Sequence, residues 1–137
     1  MLTIAGLGVA YDITSDGLSA ARDADEIYLE SYTMPIDERE ISKLEKLIGK
    51  KFARLTREKV ESAFLPGRAK ERSVCLMVVG DPLSATTHIS LIIDAKKSKI
   101  PVKIIHNSSI LSAAPGKSCL QPYRFGKTAT LAYWRKN

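Results

Sequence analysis

The sequence predicts an α/β domain whose mainly parallel sheet is flanked by helices. Short apolar or β-branched runs alternate with segments of helical periodicity, which is the order expected of β-α-β units. One such run, Ser73–Val79, stops abruptly at Gly80-Asp81-Pro82, and the hydroxyl groups of Ser84, Thr86 and Thr87 follow as candidate helix caps. Since the 137 residues contain no repeat or low-complexity segment, we expect one domain.

The amino-terminal residues predict a strand, a tight turn and a helix. Met1–Ala5 is apolar enough to be a buried strand, and Gly6-Leu7-Gly8 closes it. Thr14 or Ser15 can then cap a helix that runs to about Ala24. Leu18 and Ala21 are expected on its inner face.

Glu26–Tyr32 alternates and predicts a second strand with one face less buried. Its two sides are Ile27, Leu29 and Ser31, and Tyr28, Glu30 and Tyr32. Asp37 is a good N-cap for the next helix, and Gly49 is the expected stop. The inner face of that helix is predicted to consist of Ile41, Leu44, Leu47 and Ile48.

Three short elements are predicted before the central strand. Phe52–Leu55 is expected to be a strand, and Thr56 to cap a brief helix that carries Val60 and Phe64. Pro66-Gly67 is typical of a loop, because proline lacks the backbone donor of a helix interior.

The second half continues the alternation. A helix is predicted to about Ser98, followed by a strand at Val102–His106. Asn107-Ser108-Ser109 can cap a short helix through Ala114, which Pro115-Gly116 is expected to break. On the helix that ends near Ser98, the predicted inner face consists of Ile89, Ile92, Ile93 and Ala95. A last strand is predicted at Thr128–Tyr133.

Composition narrows the classes of function. The net charge is +6, but the basic residues are scattered, which favours a solvated surface over a nucleic-acid partner. Cys75 and Cys119, with His88 and His106, are too few for a disulfide framework or a zinc site. No apolar run approaches the roughly 18 residues of a membrane span, and residues 1–9 lack the features of a signal peptide, so a cytoplasmic location is expected.

Several nucleotide-binding motifs are incomplete. The glycine that should complete G-x-G-x-x-G after Gly6 is Tyr11, so a nicotinamide site is not supported. Gly116-Lys117-Ser118 and Gly126-Lys127-Thr128 lack the earlier glycine of a phosphate-binding loop. No G-x-S-x-G elbow is present, and His88 is expected to cap or pack at a helix start rather than to act as a catalyst.

Three loops follow the carboxyl ends of predicted strands: Gly6–Gly8, Gly80–Ser84 and Asn107–Ile110. If those strands are parallel, the loops lie side by side, where open α/β sheets bind ligands. Within them Asp81 has two roles that position alone does not separate, capping its own turn or contacting a ligand.

The sequence resembles the diphthine synthases, most specifically at Gly80-Asp81-Pro82-Leu83-Ser84-Ala85-Thr86-Thr87-His88. The resemblance runs in order along essentially the whole chain. Further matching strings are Gly6-Leu7-Gly8, Glu30-Ser31-Tyr32-Thr33, Leu47-Ile48-Gly49-Lys50, Thr56-Arg57-Glu58, Asn107-Ser108-Ser109-Ile110 and Tyr123-Arg124-Phe125-Gly126-Lys127-Thr128-Ala129-Thr130.

The resemblance implies an S-adenosylmethionine-dependent methyltransferase of the tetrapyrrole-methylase-like (class III) fold. Its implied substrate is the modified histidine of translation elongation factor 2, on the route to diphthamide. It also implies a cytoplasmic homodimer, with no direct nucleic-acid or membrane partner, and a cofactor cleft between two α/β domains. Carried over position by position, the cofactor-binding residues are Val9, Asp81, Ser84, Ser109 and Ile110.

By this resemblance, residues 1–137 are expected to be the N-terminal α/β domain of that family, without its C-terminal domain. By itself the chain is therefore expected to be weakly active or inactive. Residues 113–118 also depart from the Val-Gly-x-x-Gly pattern that the family usually has there. Two alternatives stay open: a non-catalytic truncated relative that keeps the fold and dimer surface, or another tetrapyrrole-methylase-like enzyme. No catalytic residue or metal ligand is assigned.

Overall fold

The computed structural model describes residues 1–84 and 86–129. Its strands form one five-stranded sheet in the order β3-β2-β4-β1-β5, and every pairing between neighbours is parallel. The predicted fold class is therefore confirmed. The strands are β1 Leu2–Gly6, β2 Glu26–Glu30, β3 Ala53–Leu55, β4 Val74–Val78 and β5 Val102–Ile105.

Helices cover both faces of this sheet. They are α1 Ser15–Asp23, α2 Glu38–Ile48, α3 Arg57–Val60, α4 Phe64–Glu71, α5 His88–Lys97 and α6 Ile110–Lys117, with a 3₁₀ turn at Pro122–Arg124. Among the described residues, no helix is both long and apolar enough to cross a bilayer.

The core has two layers because side chains alternate along each strand. From β4, Leu76 joins the layer under α3, α4 and α5, whereas Cys75 and Met77 join the layer under α1 and α2. All five residues of β4 are buried, as expected of the central strand in a parallel sheet.

The helix caps predicted at Thr14, Asp37, Gly49 and Ser109 are present. Thr14 and Asp37 accept hydrogen bonds from the backbone N–H groups of Gly17 and Arg39, and so cap α1 and α2. Gly49 ends α2 in the left-handed conformation, with φ of 81°. Thr56 precedes α3 as predicted, but its side chain makes no capping hydrogen bond.

Two prolines that were predicted to interrupt helices lie inside them. Pro66 is in the first turn of α4, where its missing N–H would have no intrahelical partner. Pro115 is buried within α6, and the turn that follows it is closed by bonds from Ser118 N–H to Ala114 O and from Leu120 N–H to Pro115 O, both 3.0 Å. The loop prediction at Pro66-Gly67 and the break at Pro115-Gly116 are therefore wrong.

Three predictions of side-chain burial are also wrong. Strand β2 ends at Glu30 and is buried on both faces, with Glu30 only 1% exposed. Helix α5 turns His88, Leu91 and Ala95 inward, and leaves Ile89 and Ile93 nearly half exposed. The exposed side of α2 includes Leu47. Of the predicted last strand at Thr128–Tyr133, Thr128 and Ala129 are not in a strand, and the rest lies outside the described residues.

Candidate functional site

The loops after β1 and β4 meet through a pair of backbone hydrogen bonds. Gly8 N–H donates to Gly80 O at 3.1 Å, and Gly80 N–H donates to Gly8 O at 2.9 Å. Gly8 and Gly80 both have positive φ, 61° and 81°, which glycine adopts without strain. The predicted convergence of these two loops at the carboxyl edge of the sheet is confirmed.

Gly6, at the end of β1, allows this close approach. A Cβ atom there would lie 2.5 Å from the carbonyl oxygen of Gly80 and 2.9 Å from Cβ of Asn107. Both distances are too short for any side chain. A glycine at position 6 is therefore required for the three loops to pack together.

Asn107 joins the loop after β5 to the loop after β1. Its Nδ2 group donates to the carbonyl oxygens of Gly6 and Asp12, both at 3.1 Å. Its Oδ1 accepts from Ser108 N–H at 2.7 Å, and Ser108 Oγ accepts in turn from Val9 N–H at 3.1 Å. The sequence indicated only a helix-capping role here, because the partners of Asn107 lie far away along the chain.

The carboxylate of Asp81 both caps its own turn and contacts the neighbouring loop. Oδ1 accepts from Leu83 N–H at 2.9 Å and from Ser84 Oγ at 3.3 Å. Oδ2 accepts from His106 Nδ1 at 2.7 Å and from Asn107 N–H at 3.3 Å. Burial by itself would raise the pKa of Asp81, but the hydrogen bonds from Leu83, His106 and Asn107 outweigh it and lower that pKa. Asp81 is therefore a fixed negative charge, although it is only 9% exposed.

A cleft of about 320 Å³ opens beside these loops. The five residues predicted at the cofactor site all line it, together with five others. The complete lining is Val9, Thr33, Met34, Val79, Gly80, Asp81, Ser84, Thr86, Ser109 and Ile110. Nothing in the sequence indicated that Thr33 and Met34, which follow β2, would line the cleft.

The cleft wall is divided between apolar and polar groups. Val9, Met34, Val79 and Ile110 supply apolar surface, whereas Asp81, Ser84 and Ser109 supply oxygen atoms. Ser109 also caps α6 by accepting from Leu111 N–H at 3.1 Å, so the positive end of that helix dipole is at the cleft. Such a wall suits an amphipathic organic ligand that carries polar ends.

Behind the cleft wall lies a buried pair, Glu30 and His88. Each side chain is 1% exposed, and His88 Nε2 is 3.8 Å from Glu30 Oε2. His88 is the first residue of α5, so its predicted place at a helix start is confirmed. Within residues 1–84 and 86–129, no group of three or more histidine, cysteine or acidic side chains is arranged to hold a metal ion.

A family model described as tetrapyrrole (corrin/porphyrin) methylases matches residues 1–137. The chain belongs to this family. The match covers all three loops that form the cleft.

Individual relatives agree with the resemblance to the diphthine synthases. A diphthine synthase of Methanothermobacter thermautotrophicus is 44% identical over 140 aligned positions, which cover 100% of this chain and 53% of the relative. A diphthine methyl ester synthase of Saccharomyces cerevisiae is 40% identical over 141 positions, covering 100% of this chain and 47% of the relative. The chain therefore spans about half the length of the curated relatives that it matches.

A solved structure supports the same family fold. A crystal structure of diphthine synthase superposes with a TM-score of 0.84 and 42% sequence identity, over 91% of this chain and 51% of the other. The predicted resemblance to the diphthine synthases and the methylase fold are both confirmed.

Proposed function

We propose that this chain forms one wall of the cofactor site in an S-adenosylmethionine-dependent methyltransferase of the diphthine synthase type. The substrate proposed is the modified histidine of translation elongation factor 2, on the route to diphthamide. The observation that carries this proposal is the single cleft lined by Val9, Asp81, Ser84, Ser109 and Ile110. The names of the relatives at 40–44% identity support the reaction class.

The chemistry of the cleft fits the proposed cofactor. S-Adenosylmethionine combines an apolar base with ribose hydroxyl groups and a charged amino-acid end, and the lining supplies both kinds of surface. The volume of about 320 Å³ is at the lower end of the roughly 300–1,000 Å³ common for small-molecule sites. We propose that the remaining wall comes from a second α/β domain, as the resemblance implies.

The residues of this chain would bind and orient rather than react. When bound, the cofactor supplies a methyl group activated by a positively charged sulfur. Apolar contacts from Val9 and Ile110 would hold its flat parts, while Ser84 and Ser109 would hold polar parts. Fixing the reactants in one geometry is a large source of rate acceleration, so an acid or base need not come from this wall.

We propose that Asp81 holds the amino-acid end or a ribose hydroxyl group of the cofactor. The positive charge on sulfur disappears as the methyl group leaves. A carboxylate fixed against sulfur would stabilise the ground state more than the transition state, and would slow the reaction. The four hydrogen bonds that fix Asp81 hold its charge in one place, which suits the recognition of a part of the cofactor that does not change.

Calorimetry with S-adenosylhomocysteine, the demethylated product, tests the cofactor site. We expect the chain to bind it, and Asp81→Ala to weaken binding by at least about tenfold, the effect of losing one strong polar contact. Asp94→Ala is the control, because Asp94 is an exposed residue of α5 that pairs with Lys97. Absence of binding at millimolar ligand would contradict a working half-site.

A second assay tests the substrate. Radiolabelled methyl transfer to elongation factor 2 carrying the modified histidine, followed by mass spectrometry, would identify the acceptor and count the methyl groups. The family description favours a second candidate, methylation of a tetrapyrrole. Transfer to a porphyrin or corrin and not to the elongation factor would support that candidate instead. Cofactor binding without transfer to either would support a non-catalytic relative.

The resemblance also implies assembly and location, which we include in the proposal. The protein is proposed to be a homodimer in the cytoplasm. Sedimentation equilibrium tests the assembly directly, since a dimer has twice the mass of the 15.1 kDa chain. A monomer at all concentrations would contradict it.

A further inference from the structure

The buried Glu30–His88 pair connects two elements that are distant in sequence. Glu30 ends β2 and His88 begins α5, and the closest approach given by their charged groups is 3.8 Å, from Nε2 to Oε2. Ionisable side chains are seldom buried to this extent unless they are paired. The sequence indicated neither burial of Glu30 nor its partner.

The glutamate side of the pair holds one edge of the cleft. Glu30 Oε1 accepts two hydrogen bonds of 2.8 Å, from the backbone N–H groups of Tyr32 and Thr33. Thr33 and the next residue, Met34, line the cleft. The direction in which the chain leaves β2 is therefore set by the carboxylate of Glu30.

The histidine side holds a second part of the cleft wall, the Gly-Asp-Pro loop. His88 Nδ1 donates to the carbonyl oxygen of Pro82 at 3.0 Å, and the hydroxyl of Thr86 donates to the same oxygen at 2.9 Å. Pro82 lies between Asp81 and Ser84, which both line the cleft. His88 therefore fixes the conformation of the Gly-Asp-Pro loop through its hydrogen bond to the carbonyl oxygen of Pro82.

The atoms of the pair that do not face each other are held by the two segments. Glu30 Oε1 accepts from Tyr32 and Thr33, and His88 Nδ1 donates to Pro82. His88 Nε2 has no hydrogen-bond partner among the described residues, and it faces Glu30 Oε2 at 3.8 Å. The two segments therefore meet at these two buried side chains.

We infer that Glu30 and His88 form a buried contact that positions the Tyr32–Met34 segment and the Gly-Asp-Pro loop relative to each other, and so sets the width of the cleft. Both are positioning residues, since neither lines the cleft. The role in cofactor binding rests on the proposed function, whereas the coupling of the two segments does not. Replacing either side chain alters the buried contact through which the two segments meet.

Glu30→Gln tests the coupling with little change of shape. The amide oxygen can still accept from Tyr32 and Thr33, but the negative charge facing His88 is lost. In ¹⁵N-resolved NMR spectra we expect the amide signals of Leu83 and Ser84, on the far side of the pair, to shift. The matched control is Glu26→Gln, at the other end of the same strand, where the glutamate pairs with Arg68 and bonds to Tyr28.

The reciprocal variant removes the histidine. His88→Asn keeps a donor near Pro82 and should shift the amide signals of Tyr32 and Thr33. Shifts that remain on the mutated side of the pair would overturn the inference.

Cofactor affinity separates this inference from the proposed function. We expect Glu30→Gln to weaken binding of S-adenosylhomocysteine by about tenfold or more, and Glu26→Gln to change it less than about twofold. If the unmodified chain binds no S-adenosylhomocysteine, the working half-site is contradicted, but the NMR shifts still decide whether the two segments are coupled. Equal effects of Glu30→Gln and Glu26→Gln on affinity would contradict the role of Glu30 in setting the width of the cleft.

Discussion

His106 donates from Nδ1 to Oδ2 of Asp81 across a distance of 2.7 Å, and thereby connects the loop after β5 to the Gly-Asp-Pro loop after β4. The two side chains differ in exposure, since Asp81 is 10% exposed and His106 is 64% exposed. The carboxylate is thus held from the solvent side by an imidazole and from within its own turn by Leu83 and Ser84. The conformation of the Gly-Asp-Pro loop therefore depends on the charge of Asp81.

The first prediction concerns acid stability. Because the pKa of Asp81 is lower in the folded protein than in the unfolded chain, its contribution to stability is fully present above its unfolded pKa of about 3.9. That contribution is lost as the pH falls through the folded pKa. Urea unfolding at pH values from 7 to about 3 should therefore show a smaller loss of stability for Asp81→Asn than for the unmodified protein.

Asp94→Asn, an exposed substitution on α5, is the control for this measurement and should leave the pH profile unchanged. Identical pH profiles for Asp81→Asn and the unmodified protein would show that the carboxylate is not stabilised by its four donors.

The second prediction concerns Asn107, which bonds to both Gly6 and Asp12. Asn107→Ala removes these bonds and leaves the carbonyl of Gly6 without that donor. We expect a loss of about 1–3 kcal/mol in the free energy of unfolding, since an unsatisfied buried group costs that much. The control Gln121→Ala removes an exposed amide and should change stability by less than about 0.5 kcal/mol. Equal stabilities of the two variants would contradict the bridging role.

The third prediction compares two glycines with opposite surroundings. At Gly6 a Cβ atom would meet the backbone oxygen of Gly80 at 2.5 Å, whereas at Gly67 it would meet no atom within 4 Å. Gly6→Ala should therefore destabilise the protein by about 1–3 kcal/mol, because the backbone has to move apart. Gly67→Ala should stabilise it by about 0.5–1 kcal/mol, because Gly67 lies in the exposed interior of α4. Thermal unfolding monitored by circular dichroism measures both, and a loss of stability in Gly67→Ala would refute this assignment.

The sheet and its loops were predictable because their causes are local. An apolar run such as Val74–Val78 has to be buried, and a Gly-Asp-Pro sequence has to end it. Helices alternating with such runs leave a parallel sheet as the expected arrangement. The convergence of three loops then follows from the topology, before any contact is known.

The burial of Glu30 was not predictable, because its cause is a residue far along the chain. Alternation along a strand places polar residues on the less buried face, and nothing near Glu30 indicates that α5 will bring His88 to it. The same limit applies to Asn107, whose partners are Gly6 at the end of β1 and Asp12 in the loop that follows. Pro66 shows a different limit, since a proline in the first turn of a helix is indistinguishable in sequence from one in a loop.

The fourth prediction concerns the two cysteines, which have opposite environments. Cys75 is buried in β4 and Cys119 is exposed. Burial raises the pKa of the Cys75 thiol to about 12, so almost no thiolate is available at pH 8. Iodoacetamide at that pH should therefore modify Cys119 in the folded protein and leave Cys75 unmodified, as measured by peptide mass spectrometry. In concentrated urea both should react, and modification of Cys75 as fast as Cys119 without denaturant would contradict the burial of Cys75 in the core layer under α1 and α2.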